Sequence, residues 1–201
     1  MNADLSHKFA RFISTLFVPP SFTIIIFTIF GLALESEASK VIATIGIAVV
    51  FGFISPIVLF LILRKKGKLV DLDASVKEER TFPFFIAIIF YLIGLILMIK
   101  INLNIISIAF WFCYISNTFI TIFINKYWKI SAHSMGAAGP FAALMFAFGL
   151  FALIFLPVIY LVGWSRIKLK CHSLSQVIAG ILLAFISSYL QMYLIIKYFS
   201  S

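Results

Sequence analysis

Long apolar runs separated by short polar loops are the main feature of this chain of 201 residues. Within runs such as 86–98, polar and apolar positions do not alternate as the strands of a membrane barrel require. Runs of about 20 mostly apolar residues are typical of helices that cross a bilayer. The pattern predicts membrane-spanning helices over residues 12–34, 41–63, 83–99, 103–124 and 173–199.

One further apolar stretch, residues 135–163, carries no charged side chain. As a single helix it would be about 43 Å long at 1.5 Å per residue, well beyond a hydrocarbon core of about 30 Å. Two helices that turn near Gly149 would each be short. In the first span, Pro19 and Pro20 predict a kink or an entry turn, and Pro56 lies inside the second span.

The composition supports a membrane protein. Apolar residues make up 63% of the chain and charged residues 11%, against about 45–50% and about 25% in soluble domains. These values exclude a soluble fold, a coiled coil and a disordered chain. We therefore expect an all-α polytopic membrane protein, in which residues 1–201 form a single membrane-embedded domain with about six or seven transmembrane helices. The net charge of +9 indicates contact with anionic lipid head groups rather than nucleic acid.

Candidate chemistry lies in three polar loops, residues 64–82, 125–134 and 164–172. His133 and His172 each stand beside cations, a serine and the start of a helix. Arginine offers a planar fork to phosphate oxygens, and helix N-termini present free N–H groups to anions. One neutral imidazole can attack phosphorus, while a second protonates the leaving oxygen. The grouping predicts a site for a phosphate.

The spacing of these residues resembles that of a known superfamily. Ser165-Arg166 is followed after five residues by His172, the order Ser131-Ala132-His133 occurs earlier, and Arg80 precedes both. Over residues 71–180 this resembles the type 2 phosphatidic acid phosphatases, which are integral-membrane lipid phosphate phosphatases. The chain departs from the family pattern where Asp73 replaces a lysine, Ile130 a proline, Ala132 a glycine and Gln176 an aspartate, and Pro83 is displaced from the usual position after the arginine.

The resemblance implies a metal-independent hydrolysis of a lipid phosphomonoester or diphosphate, with no cofactor. His172 is then the nucleophile that forms a phosphohistidine, and His133 protonates the leaving oxygen and later activates water. Gln176 would support His172, and Lys77, Lys126 or Lys129 would replace the cation lost at Asp73. The implied phosphate-binding residues are Arg80, Arg166, Ser131, Ala132, Lys126 and Lys129. The particular lipid and the oligomeric state stay open.

The resemblance also predicts the topology. His133 and His172 must meet at one phosphate, so an even number of crossings separates their loops, and residues 135–163 are expected to form two short helices. This gives seven crossings, or six if one segment is re-entrant. The N-terminus and all three polar loops then share one face, which carries most of the Lys and Arg side chains. The positive-inside rule places that face in the cytoplasm. Divergent bacterial and archaeal members of the superfamily depart from the family pattern in a similar way. The resemblance therefore implies the plasma (inner) membrane of a bacterium or an archaeon.

Two other classes of protein compete with this interpretation. Membrane transferases that use metal-bound diphosphate gather several Asp side chains around Mg²⁺, whereas this chain has no carboxylate after Glu79. A non-enzymatic protein, such as a transporter, a lipid-binding protein or an inactive phosphatase relative, is the second alternative. Polar or charged residues within the spans are expected of a transporter, and these spans contain few of them.

Overall fold

The computed structural model describes residues 3–70 and 76–199, and in those ranges its regular secondary structure is entirely helical, with no β-strand. Among the described residues, five helical stretches are long and apolar enough to cross a bilayer, and a sixth is added if one bent pair of helices counts as a single span. One of the five, Ala132–Lys168, contains two helices that fold back on each other. The predicted all-α polytopic membrane fold is confirmed. The α-helices of the described residues are α1 (Ala3–Leu16), α2 (Pro19–Leu34), α3 (Ala38–Ile47), α4 (Ser55–Lys65), α5 (Thr81–Ile101), α6 (Ile105–Tyr127), α7 (Ala132–Phe148), α8 (Leu156–Lys168) and α9 (Leu174–Phe199).

The first predicted span, residues 12–34, is divided between two helices. The axes of α1 and α2 differ by 55°, and the break lies just before Pro19 and Pro20. Proline lacks the N–H that would continue the preceding helix, but it fits the first turn of a new one. The expected proline turn is confirmed, whereas the expectation that residue 12 begins the span is wrong. Residues 12–16 belong to α1.

Helix α1 is amphipathic and lies across α8. Its buried face includes Ala10, Ile13 and Ser14, and the Phe9 ring contacts that of Trp164 of α8 in a tilted arrangement, with 5.9 Å between ring centroids. Apolar side chains at helical spacing remain exposed along another face: Leu5, Phe9, Phe12 and Leu16. This pattern is typical of a helix that lies at a membrane surface.

The second predicted span is a continuous helical unit, Ala38–Lys65, with a π-helical segment, Ala48–Ile54, between α3 and α4. Pro56 lies in the first turn of α4 and cannot donate a backbone hydrogen bond. The wider π turn comes directly before it, and the Ser55 N–H there bonds back to the carbonyl of Val50. Proline is thereby accommodated without ending the span.

Helices α7 and α8 form a hairpin, as expected for residues 135–163. A short 3₁₀ segment, Gly149–Phe155, joins them, and Gly149 adopts a φ of 62° that only glycine takes readily. The two helices pack against each other, and Lys129 Nζ, just before α7, donates to the carbonyl of Cys171, just after α8, at 2.7 Å. A single straight helix over the whole stretch Ala132–Lys168 would separate these two ends by about 55 Å.

Helix α7 lies at the centre of the bundle, where it packs against α2, α8 and α9. Nearly all of its residues from Ser134 to Leu144 are buried. Its start is fixed by α9, because a Cβ added to Gly180 would lie 2.9 Å from the carbonyl oxygen of Ser131. The bundle therefore holds the N-terminus of α7 firmly against the first turns of α9.

Candidate active site

The three polar loops meet at one end of the bundle. Lys77 Nζ donates to the carbonyl of Lys126 at 3.0 Å and joins the first loop to the second. The bond from Lys129 to Cys171 joins the second loop to the third. At the opposite end, the N–H of Asn104 donates to Glu35 at 2.7 Å and joins the α2–α3 and α5–α6 turns. The predicted placement of all three polar loops on one face is thus found in the described structure.

Arg80 ends a single 3₁₀ turn, Glu78–Arg80, that leads directly into α5. Its side chain is buried, and Nη1 donates to the carbonyl of Ile130 at 3.1 Å. Lys77, one turn earlier, binds the last carbonyls of α6 and also lies 3.7 Å from Glu78. The contacts of Lys77 therefore hold the first loop so that the Arg80 guanidinium lies between α5 and the start of α7.

Arg166 lies in the last turn of α8, and its side chain is fully buried. Nη1 donates to the hydroxyl of Ser14 on α1. Ser14 is not among the predicted site residues, because the sequence pattern places it in the apolar span predicted over residues 12–34. The helical spacing of Ser6, Ala10, Ile13 and Ser14, which form the buried face of α1, is the signal that identifies it.

The spacing from Arg166 to His172 follows from the way α8 ends. The N–H of Lys170 bonds to the carbonyl of Ile167, and the N–H of Cys171 bonds to that of Arg166. These are the two bonds of a Schellman turn, and Lys170 takes the left-handed φ of 55° that the turn requires. The turn folds the chain back, so that the His172 N–H lies 3.3 Å from the Arg166 carbonyl oxygen.

A capping box fixes the side chain that supports His172. Ser173 precedes α9, its hydroxyl accepts from the N–H of Gln176, and Gln176 Oε1 accepts from the N–H of Ser173 at 3.2 Å. His172 Nδ1 lies 3.0 Å from the same Oε1. Because that oxygen can only accept, Nδ1 carries the proton and the lone pair of the neutral ring is on Nε2. The predicted contact between Gln176 and His172 is present.

The charge around His172 is positive. His172 is 7% exposed, and its pKa is lowered to about 3. The largest cause is burial, and the charges of Arg80, Lys129 and Arg166 lower the pKa further. The hydrogen bond to Gln176 acts in the opposite direction. The imidazole is therefore neutral at physiological pH. We refer to these four residues, Arg80, Lys129, Arg166 and His172, as the His172 cluster.

The N-terminus of α7 stands beside the cluster. Ser131 is the N-cap, its hydroxyl accepts from the N–H of Ser134 at 3.3 Å, and its own N–H donates to the carbonyl of Gln176 at 3.3 Å. Ala132 and His133 are the first two residues of the helix, and both are half-buried. The first N–H groups of a helix attract anions, so this end of α7 adds to the positive field of the cluster.

Two of the three lysines that were predicted to replace the missing cation, Lys126 and Lys77, do not join the cluster. The Lys126 side chain is exposed, and its ammonium lies 5.0 Å from the centre of the Phe123 ring. The Lys77 ammonium binds carbonyls at the end of α6. Asp73 lies outside the described residues. Of the predicted cations, the His172 cluster thus contains Arg80, Arg166 and Lys129.

The site has no donor set of the usual kind for a metal ion. In residues 3–70 and 76–199, no three His, Cys, Asp or Glu side chains form a group that could hold one. The chemistry of the cluster instead suits an anion, because its cations and a helix N-terminus surround a neutral imidazole.

Comparisons of the chain with protein-family models, with curated proteins and with solved structures find no match.

Proposed function

We propose that this protein is a phosphatase that hydrolyses the phosphate ester or diphosphate of a membrane lipid through a phosphohistidine at His172. The observation that carries the proposal is the state of His172, a neutral imidazole near three cations, with Nδ1 bonded to Gln176. A neutral ring with its lone pair on Nε2 is a nucleophile, and the cations attract the phosphate that it would attack.

The cations bind the phosphoryl group in this proposal. Arg80 and Arg166 are buried guanidinium groups on the α5 and α8 sides of His172, and Lys129 approaches from the loop before α7. Charge gathers on the phosphoryl oxygens in the transition state, and donors that are already in place stabilise it without reorganisation. The backbone N–H groups at the start of α7 add further donors.

The reaction has two steps. In the first, Nε2 of His172 forms a bond to phosphorus, the bond from phosphorus to the lipid oxygen breaks, and protonated His133 gives its proton to that oxygen. In the second, His133 takes a proton from water, the hydroxide attacks phosphorus, and the bond to Nε2 breaks. The products are inorganic phosphate and the lipid alcohol, or the lipid monophosphate when the substrate is a diphosphate, and both histidines return to their starting forms.

A lipid is the expected substrate because of where the cluster lies. It stands at the end of a bundle whose helices carry exposed apolar side chains along their length, including Phe85 and Ile89 of α5. That end of a membrane-spanning helix lies at the depth of phosphate head groups. A phosphate at that depth reaches the cluster without leaving the membrane surface.

The test is phosphate release by purified protein in detergent from a panel of lipid phosphates. The wild type should release phosphate from at least one member, and His172→Ala should abolish release while the protein keeps its thermal stability near neutral pH. His7→Ala, which removes an exposed imidazole of α1, is the matched control and should retain activity. Normal turnover by His172→Ala would refute the assignment of the nucleophile.

Two further outcomes separate the competing classes. Activity should survive EDTA, and a loss on chelation that Mg²⁺ restores would favour a metal-dependent transferase. No release from any member of the panel by a folded wild type would favour a non-enzymatic protein.

A further inference from the structure

An elongated cavity lies between the helices beneath the His172 cluster. Its upper end is lined by Pro19 of α2, Phe84 of α5 and Ala132 of α7. Ala132 directly follows the N-cap of α7, so the cavity begins beside the candidate site. Along α6 its lining extends from Thr121 to Phe110, about 16 Å at 1.5 Å per residue. The cavity therefore begins near the head-group end of the bundle and extends past the middle of α6, because Phe110 lies close to the first turn of that helix.

The cavity exists because small residues stand where helices face each other. Helix α5 packs on α6, and α2 packs on α7. Between these pairs the walls carry Ala87, Gly139 and Ala184, and most of the lining surface is apolar. A Cβ added to Gly139 would meet only Ser188 Oγ within 4 Å, at 3.4 Å. A Cβ at position 139 is thus accommodated at ordinary contact distance.

Aromatic rings form the deep end. Tyr91, Phe110 and Tyr114 line it, with ring centroids 5.4 Å apart for Tyr91 and Tyr114 and 5.1 Å apart for Phe110 and Tyr114. The fully buried Trp111 stands next to them and donates from Nε1 to the carbonyl of Tyr91 at 2.7 Å. This packed cluster gives the cavity a rigid floor.

Two polar side chains of the wall, Asn117 and Ser188, already bind each other. Asn117 Nδ2 donates to Ser188 Oγ at 2.9 Å, and the Ser187 hydroxyl donates to Asn117 Oδ1 at 2.7 Å. An apolar group beside them therefore breaks no hydrogen bond, and the cost of burying these polar atoms is already met within the protein. The cavity suits a hydrocarbon better than a polar ligand.

We propose that this cavity binds one hydrocarbon chain of the lipid whose phosphate the His172 cluster holds, an inference that rests on the proposed function. A lipid with its phosphate at the head-group depth points its chain toward the membrane midplane, and the cavity runs in that direction. Its volume of about 120 Å³ is well below the roughly 300–1,000 Å³ of pockets for drug-sized ligands. A cavity of this size holds at most one chain, so any second chain would stay in the bilayer.

The test measures binding, so it does not depend on turnover. Monoalkyl phosphonates of roughly four to eight carbons carry an uncleavable phosphate analogue on one chain and dissolve as monomers, so each added methylene moves from water into the cavity. Their dissociation constants are measured by calorimetry on the whole protein in nanodiscs, with protein-free discs as the blank. In the wild type the dissociation constant should fall by up to about fourfold per methylene.

Two variants fill the cavity from opposite walls. Gly139→Leu and Ala87→Leu should bind the short phosphonates like the wild type and should weaken binding of the longest by about tenfold or more, because each methylene kept out of the cavity forfeits its transfer free energy. The use of two walls protects the test if one variant fails to fold. Gly46→Leu is the matched control, since Gly46 is exposed on α3 with nothing near its Cβ position.

The outcomes are separable. Equal chain-length dependence in the wild type, both filled variants and the control would indicate partition into the disc bilayer and would overturn the proposal, as would no dependence in the wild type. If the wild type and the control show the chain-length dependence and only the filled variants lose it, the chain site is supported. That conclusion holds even if the protein releases no phosphate, and the phosphatase assignment alone then fails. Normal phosphate release with no chain-length dependence removes the chain site alone.

Discussion

Acidification should destabilise this protein through His172 in particular. The pKa of a histidine is about 6.5 in an unfolded chain, whereas that of His172 in the fold is about 3. Between these values the unfolded chain binds one more proton than the folded one, so the free energy of unfolding falls as the pH falls. The loss begins near pH 6.5 and ends near pH 3, and above about pH 7 the residue contributes no pH dependence.

The magnitude follows from the width of that window. One pKa unit corresponds to about 1.36 kcal/mol. At about pH 5, which lies about 1.5 units below the unfolded value, the expected loss is therefore about 2 kcal/mol. The burial of His172 supports the use of this value, because a side chain that is 7% exposed is weakly screened by solvent. For a chain of this size, about 2 kcal/mol corresponds to a fall of roughly 4–8 °C in Tm.

The assay is thermal unfolding of the purified protein in detergent near pH 7.5 and near pH 5. His172→Asn removes the titrating ring, so its fall in Tm between the two pH values should be smaller than that of the wild type by roughly 4–8 °C. His7→Asn should behave like the wild type, because it removes an exposed imidazole outside the cluster. If the wild type and His172→Asn lose the same stability on acidification, His172 is not held neutral by burial and nearby cations.

Three further predictions concern the cluster and its face of the membrane. Gln176→Glu keeps an acceptor for His172 and for the capping box and should retain phosphate release, whereas Gln176→Leu removes both bonds and should lower it by about tenfold or more; an undiminished rate in the leucine variant would contradict the supporting role. Lys129→Met should lower kcat/KM by about tenfold or more and Lys126→Met should change it little, and equal losses would refute the distinction between these lysines. With both native cysteines replaced by serine, Gly67→Cys should be protected from impermeant thiol reagents in intact cells, and prompt labelling would place the cluster outside.

The spans could be predicted because the signal for them is local. A run of about 20 apolar residues reads as a helix whatever its neighbours are, so four of the five predicted ranges agree with the described helices to within a few residues. The hairpin of α7 and α8 needed a second argument, that His133 and His172 belong on one face. Apolarity alone does not distinguish one long helix from two short ones, because the turn at Gly149 contains no polar side chain.

The site was harder to predict where it depends on contacts between distant parts of the chain. Ser14 and Arg166 are 152 positions apart, and nothing in the pattern around either residue names the other. The sequence also does not show which lysine joins the cluster, because Lys126 and Lys129 lie only three positions apart. Helix α6 ends at Tyr127, and the chain then turns so that Lys129, unlike Lys126, reaches Cys171.

Gln176 has both a structural role, in capping α9, and a role in the candidate site, in binding His172. The order Ser-x-x-Gln at the start of an apolar run is a capping box, which explains residue 176 without reference to chemistry. In the fold the same Oε1 also holds His172 Nδ1, so a single amide serves the helix and the histidine.

An aspartate at position 176, one methylene shorter, would reach less far and would add a negative charge that raises the pKa of the imidazole. With Gln176, the orientation of the ring is kept by hydrogen bonding, while the cations and burial keep it neutral. A glutamine where the phosphatases that the chain resembles have an aspartate is therefore compatible with the proposed role of His172, because the proposed first step needs the lone pair on Nε2 rather than a charge on its partner.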